Sequence, residues 1–241
     1  MENIKSLADF FFPRLCENCK EKLTGNEKII CSHCLAEIKT ANDEFLKTEF
    51  RRKFSDQHII DRFTSLYLFE TNGNLQHLLH QLKYNQKFGI GKYLGELIAE
   101  KRNDFFVETN PDIVIPVPLH QLKKAERGYN QSYFIAKGIA SRCGIQLKDN
   151  LAKRVKYTES QTSMAIKERK QNVAGIFLLK HSETVRGKNI ILVDDVITTG
   201  ATISELGGIL KNAGASKVYA VSAAIPTSVQ EPIPQAELIH S

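Results

Sequence analysis

What this sequence lacks already narrows its class. No stretch approaches the roughly 18 uninterrupted apolar residues that a membrane-spanning helix requires, so no membrane span is expected. With 14 glycines and 7 prolines in 241 residues, the chain is not collagen-like. Its 42% hydrophobic and 25% charged residues exclude a disordered chain and are enough to bury a core. No Gly-x-x-x-x-Gly-Lys-[Ser/Thr] loop is present, which disfavours the P-loop hydrolases. Gly89, Gly91 and Gly95 have the wrong spacing for a dinucleotide fingerprint and follow a helical pattern rather than a strand. The opening MENIKSLADFFFPRLC carries Glu2, Lys5 and Asp9 and only a short apolar run, unlike a secretory signal. The expectation is a soluble, cytoplasmic protein, with one large domain or two unequal ones.

Cysteine is scarce, at five residues, but four of them are patterned. Cys16-Glu17-Asn18-Cys19 and Cys31-Ser32-His33-Cys34 are two CxxC pairs separated by eleven residues. Such knuckles can set four thiolates around Zn²⁺ at about 2.3 Å each, although this gap is shorter than the roughly 15–20 residues of the commonest pattern. A reducing compartment argues against disulfides, and a redox CxxC needs a thioredoxin-like context that is missing. His33, inside the second knuckle, is an alternative ligand. Four protein ligands leave no open coordination position, so the expected zinc is structural. Cys143 stands alone near the end of a predicted helix and reads as a small buried hydrophobe.

The net charge of +6 is unevenly placed. Residues 117–172 hold 12 Lys and Arg against 4 Asp and Glu, whereas every other region is balanced within one charge. This excess nominates an anionic ligand, such as phosphate, pyrophosphate or nucleic acid, with a solvated basic face as the alternative. Few aromatics (Tyr129, Tyr133, Phe134, Tyr157) lie among these cations, so no stacking groove is evident.

Patterning suggests strands alternating with helices. Residues 40–57 are polar and read as a linker or peripheral helix, and 59–70 as a strand pair or an edge strand. Leu75, Leu78, Leu79 and Leu82 share one helical face, and Ile90, Leu94, Leu97 and Ile98 mark a second helix. Residues 112–118 read as a buried strand stopped by Pro116 and Pro118. Helical spacing returns over 130–142, followed by a strand at 189–193, a helix at 201–212 and a strand at 217–224, with a Pro-rich tail from Pro226. The expected fold class is α/β, a parallel sheet flanked by helices, with a small N-terminal zinc-binding module. The expected division is a module and linker over 1–57 and a main domain over 58–241.

In open α/β sheets, ligands bind beyond the carboxyl ends of the strands. The 190–202 segment ends a hydrophobic strand with Asp194 and Asp195, which are expected at a surface cleft. Val196, Thr198, Thr199, Gly200, Ala201 and Thr202 follow as a helix begins. Carboxylates accept hydrogen bonds from vicinal hydroxyls and attract Mg²⁺. A glycine lets the backbone approach closely, and a helix start offers unpaired N–H groups to a phosphate. A threonine helix cap is the plainer reading, but it explains one hydroxyl and not two acids beside three threonines.

This segment resembles the phosphoribosyl pyrophosphate (PRPP) motif of type I phosphoribosyltransferases. The blocks His80-Gln-Leu-Lys83-Tyr84, Ile115-Pro-Val-Pro-Leu-His120 and Arg127-Gly-Tyr-Asn-Gln131 resemble those of the ComF/GntX family. So do Gln161-Thr162 and Glu168-Arg169 before Asn172-Val173, as does the upstream pair of knuckles. The resemblance implies the type I phosphoribosyltransferase fold and a Mg²⁺- and PRPP-dependent transfer to an unidentified acceptor. It implies Asp194 and Asp195 as the catalytic pair and residues 196–202 as the ribose-phosphate loop. Val117, Pro118, Leu119 and His120 would form the pyrophosphate loop, often with a nonproline cis peptide, although the prolines can equally just end a strand. Lys83, Arg127 and Arg169 would meet pyrophosphate or the hood, or else be surface cations, while His77, His80 and His120 read as packing or surface residues. The region 149–170 would act as a lid. The ComF resemblance also implies a role in DNA uptake during natural transformation, with single-stranded DNA and competence proteins as partners. The alternative to an enzyme is a non-catalytic DNA-handling adaptor on the same fold.

Overall fold

The structure, a computed structural model, describes residues 13–155 and 175–227. Five parallel strands form the main sheet in the order β1-β7-β6-β2-β3. These are β1 (Arg62–Phe69), β2 (Ile113–Pro116), β3 (Gln146–Leu147), β6 (Asn189–Val196) and β7 (Lys217–Pro226). A separate antiparallel pair joins β4 (Ala152–Arg154) to β5 (Phe177–Leu179). The helices are α1 (Ser32–Ala36), α2 (Asp43–Phe54), α3 (Asn74–Tyr84), α4 (Phe88–Lys101), α5 (Asn103–Thr109), α6 (Gln121–Arg127), α7 (Gln131–Cys143) and α8 (Ala201–Asn212).

The central strands are continuous apolar runs because the sheet is buried on both faces. Ile191, Val193, Tyr219 and Val221 pack with α3, α4 and α7, whereas Ile190, Leu192, Val218 and Ala220 pack with α2 and α8. Alternate residues of one strand thus serve two separate cores, which is the period-two geometry of a strand. Helices α4 and α7 approach very closely. A Cβ on Gly95 would lie 2.1 Å from the Ile135 carbonyl oxygen, and one on Gly138 would lie 2.2 Å from that of Lys92. Gly95 is therefore a packing residue of a helix pair.

Several boundaries differ from the sequence expectations. The 189–193 strand continues to Val196, so both aspartates lie within its last turn of pleat and not after it. The 59–70 segment is a single edge strand whose sheet partner is β7. The 40–57 segment contains α2, whose Leu46 and Phe54 are buried in the sheet's second core. Helices α5 and α6 have seven residues each, too few turns to show a clear apolar period. All peptide bonds among the described residues are trans, so the cis bond implied for 117–120 is absent. Val117 instead continues the ladder, donating its N–H to the Val193 carbonyl at 2.9 Å. Most of the expected lid, including Arg169, lies outside the described residues, as does the tail beyond residue 227.

Candidate functional site at the sheet's switch point

From the centre of the sheet the chain leaves in two directions. After β2 it runs through α6 and α7 to β3, and after β6 it runs through α8 to β7 on the other side. The strand order reverses between β2 and β6, and the crevice beyond their carboxyl ends is where such sheets bind ligands. The loops that open there are 117–120 and 197–200, so the topology brings together the two segments singled out in the sequence.

Asp194 and Asp195 end β6 beside the start of α7. Ser132 donates its hydroxyl to Asp194 Oδ1 at 2.9 Å, and the Asp195 backbone N–H donates to the same oxygen at 2.9 Å. Gln131 Nε2 approaches Asp195 Oδ1 at 3.5 Å. Lys83, at the end of α3, places its ammonium 2.6 Å from Asp195 Oδ2. The open cleft edge expected for both acids holds only for Asp194, which is half-buried. Asp195 is 6% exposed because the Lys83 ammonium roofs it.

This asymmetry separates the two acids electrostatically. Burial, followed by the negative charge of Asp195, pushes the Asp194 carboxyl up to about 8. Burial works to raise Asp195 as well, but Lys83 outweighs it and holds Asp195 below the usual carboxylate range. Near neutral pH the pair therefore carries a proton on Asp194 and a charge on Asp195. The two acids and Lys83 do not by themselves make a magnesium cage. They fit a Mg²⁺ that keeps its waters and arrives with substrate phosphates, the usual arrangement for that ion.

Beyond Val196, Ile197 turns back into the core and the turn 198–200 begins. Thr198 is exposed, Thr199 and Thr202 are half-buried, and Gly200 has φ +78° at the N-cap of α8. Gly200 has no side chain to cap that helix, so beyond the Ala201 N–H the first-turn N–H groups of Thr202 and Ile203 are left for a ligand. Thr199 Oγ1 accepts from the Ala201 N–H at 3.3 Å. Across the crevice, Val117 is buried with both backbone groups engaged, its carbonyl accepting from Asn130 Nδ2 at 2.9 Å. Pro118 and Leu119 are half-buried beside it.

The cations converge from several elements. Arg127, the last residue of α6, donates to Gln131 Oε1 at 3.2 Å and to the Tyr84 hydroxyl at 3.3 Å, with its guanidinium 5.1 Å from the Tyr84 ring centroid. Sequence reading singled out Lys83 and Arg127 but missed Lys123 and Arg154. Burial lowers the pKa of Lys123, and the neighbouring charges of Arg127, Arg154 and Lys83 lower it further. Burial also lowers Arg154, while the nearby Asp194 works the other way. The +8 excess of residues 117–172 was the available signal for both, but charge counts name a segment and not a side chain. Of the direct partners of the acids, Gln131 ends the Arg127–Gln131 block and Ser132 follows just after it, and nothing in their spacing shows where they point.

On the face packed by α3 and α4, Cys16, Cys19, Cys31 and Cys34 lie together with all four Sγ atoms within 4.8 Å of one another. Cys19 and Cys31 are 3.7 Å apart, sulfur to sulfur. Four sulfurs about 2.3 Å from a common centre would be about 3.8 Å apart in a tetrahedron, so the cluster fits a metal. Backbone N–H groups of Cys31 and Cys34 point at the sulfurs of Cys16 and Cys31, each at 3.4 Å. His33 is exposed and lies 3.7 Å from Glu37, outside the cluster. Cys16, Cys31 and Cys34 belong to the same apolar cluster as Leu79 and Leu82.

The profile of the phosphoribosyl transferase domain family matches residues 80–233. The chain is 31% identical over 148 residues to a competence protein F of Haemophilus influenzae, a match covering 58% of this chain and 63% of that protein. It is 30% identical over 148 residues to the DNA utilization protein YhgH of Escherichia coli, covering 60% and 64%. It is 27% identical over 203 residues to the competence protein ComFC of Bacillus subtilis, covering 79% and 75%. The first of these matches span just under two thirds of the relatives' own length. No helix among the described residues is long and apolar enough to cross a membrane. The chain belongs to the phosphoribosyl transferase domain family and, within it, to the ComF family.

Proposed function

We propose that the chain binds PRPP in the crevice between β2 and β6 and transfers its phosphoribosyl group to an acceptor, serving the DNA use for which its relatives are named. The observation that carries this reading is the acidic pair at the end of β6, directly followed by an uncapped helix start and faced by four cations. Residues 198–202 hold the 5′-phosphate by backbone N–H groups and hydroxyls. Asp194 and Asp195 take the vicinal ribose hydroxyls, with Asp194 able to donate as well as accept because it holds a proton. Lys123, Arg127 and Arg154 face the pyrophosphate, and Lys83 is near enough to turn from Asp195 toward it.

In the transfer, the bond from C1 to the pyrophosphate oxygen breaks, a bond from C1 to the acceptor forms, and the acceptor's proton is released. Positive charge grows on the ribose ring while negative charge leaves, and fixed groups of opposite sign at each end stabilise that separation. Mg²⁺, when bound with the substrate, supplies further charge neutralisation at the phosphates. Zinc on the four cysteines would complete a structural module over 1–57 on a 58–241 domain, in a reducing cytoplasm where the thiols persist.

A second reading, a DNA-handling adaptor without turnover, is favoured by the relatives' names and by the basic 117–172 segment. Calorimetric titration with PRPP, with and without Mg²⁺ and then with single-stranded DNA as competitor, separates the two. Saturable Mg²⁺-dependent PRPP binding supports the transferase. DNA binding with a steep salt dependence and no PRPP binding supports the adaptor.

A further inference from the structure

The turn 198–200 is held in place by an element far away in sequence. Lys53, near the end of α2, has a side chain only 2% exposed, and its ammonium donates to the carbonyl oxygen of Thr198 across 145 residues of chain. The same ammonium lies 3.0 Å from Glu49 Oε2, one turn back on α2. Glu49 is in turn fixed by Arg52, which donates to its two oxygens at 3.0 and 2.6 Å. The next residue of α2, Phe54, closes on the turn from the same side. A Cβ at position 200 would lie 2.6 Å from Phe54 Cε1, so Gly200 is required by this contact as well as by its φ of +78°.

Burying an ammonium is costly unless it is paired, and its aliphatic stem alone would serve for packing. What the charged end adds is a fixed peptide orientation. The peptide unit is planar and trans, so the carbonyl of Thr198 and the N–H of Thr199 point in opposite directions. Tying that carbonyl back to α2 therefore aims the Thr199 N–H to the opposite side, away from Lys53. We infer that Lys53 is a positioning residue that sets the donors of the 198–202 turn for an anionic phosphate, and that α2 is thereby part of the site's machinery. The inference rests on the reading of this turn as a phosphate site.

The test uses Lys53→Met, which keeps the stem, removes the donor and leaves Glu49 paired with Arg52. In ligand-free protein, exchange of the Ala201 and Ser204 amides, which are bonded to Thr199 Oγ1 and to the Gly200 carbonyl, should rise about tenfold or more while β6 and β7 stay protected. The PRPP dissociation constant, read with Mg²⁺ present, should rise by about tenfold or more, the cost of a lost charged hydrogen bond. Lys53→Arg, which retains a charged donor, should keep the turn protected. Exchange unchanged from wild type in Lys53→Met would overturn the inference, and so would a uniform rise across the protein, which marks Lys53 as a packing residue. Local loosening in a protein that never binds PRPP would leave the brace standing and remove the phosphate reading.

Discussion

The Lys83 ammonium lies 2.6 Å from Asp195 Oδ2, and this one ion pair joins the end of α3 to the end of β6. It accounts for the division of labour between adjacent acids, because among the described residues Asp194 has no ion-pair partner and takes up a proton instead.

Lys83→Met should raise the acid midpoint of unfolding. The folded pKa of Asp195 lies below its ordinary value of 3.8. Its contribution to stability is therefore present above about pH 4 and lost as pH falls through the folded value. Without Lys83 that contribution disappears, and the buried acid left behind costs about 1–3 kcal/mol at neutral pH. Thermal melts between acid and neutral pH read both effects, and unchanged curves would contradict the pairing.

Asp194→Asn should have the opposite sign. The folded pKa of Asp194 is raised to about 8 from 3.8. The wild type is thus penalised progressively as pH climbs between those values, and the asparagine is not. Urea unfolding should show the variant gaining stability on the wild type between pH 5 and pH 8. Parallel curves over that window would show that Asp194 ionises normally.

Lys123→Gln and Arg154→Gln should each weaken binding of inorganic pyrophosphate by about tenfold while also reducing its salt dependence. Titration at two salt concentrations checks this. Affinity equal to wild type in both variants would leave Lys83 and Arg127 as the cations of the site among the described residues.

Protein purified without chelator should carry one zinc per chain, and removing it should loosen residues 13–38 first, because metal binding and local folding are coupled in such modules. Elemental analysis and amide exchange read the two halves. Metal-free protein with all four thiols reduced and the segment still protected would contradict the assignment.

Much of the fold was legible because its signals are local. Leu75, Leu78, Leu79 and Leu82 repeat at helical spacing, and the 190–193 run is apolar because both its faces are buried. The acids and the threonine turn were legible for the same reason, being contiguous. What was hidden is tertiary. Lys53 and Thr198 are 145 residues apart, and Ser132 and Asp194 are 62 apart. Nothing in the polar 40–57 segment announces that its helix seals the turn with Phe54. Short helices such as α6 escape periodicity altogether, and with α6 went Lys123.

The measurement that bears most directly on the account is calorimetric titration of Mg²⁺-PRPP into wild type and into Asp194→Asn/Asp195→Asn. Losing the charge-assisted bond from Asp195, together with the carboxyl of Asp194, should weaken binding by about ten- to a hundredfold, with the variant still folded. Equal affinity in the two proteins, or no binding by the wild type, would contradict a working PRPP site at the end of β6.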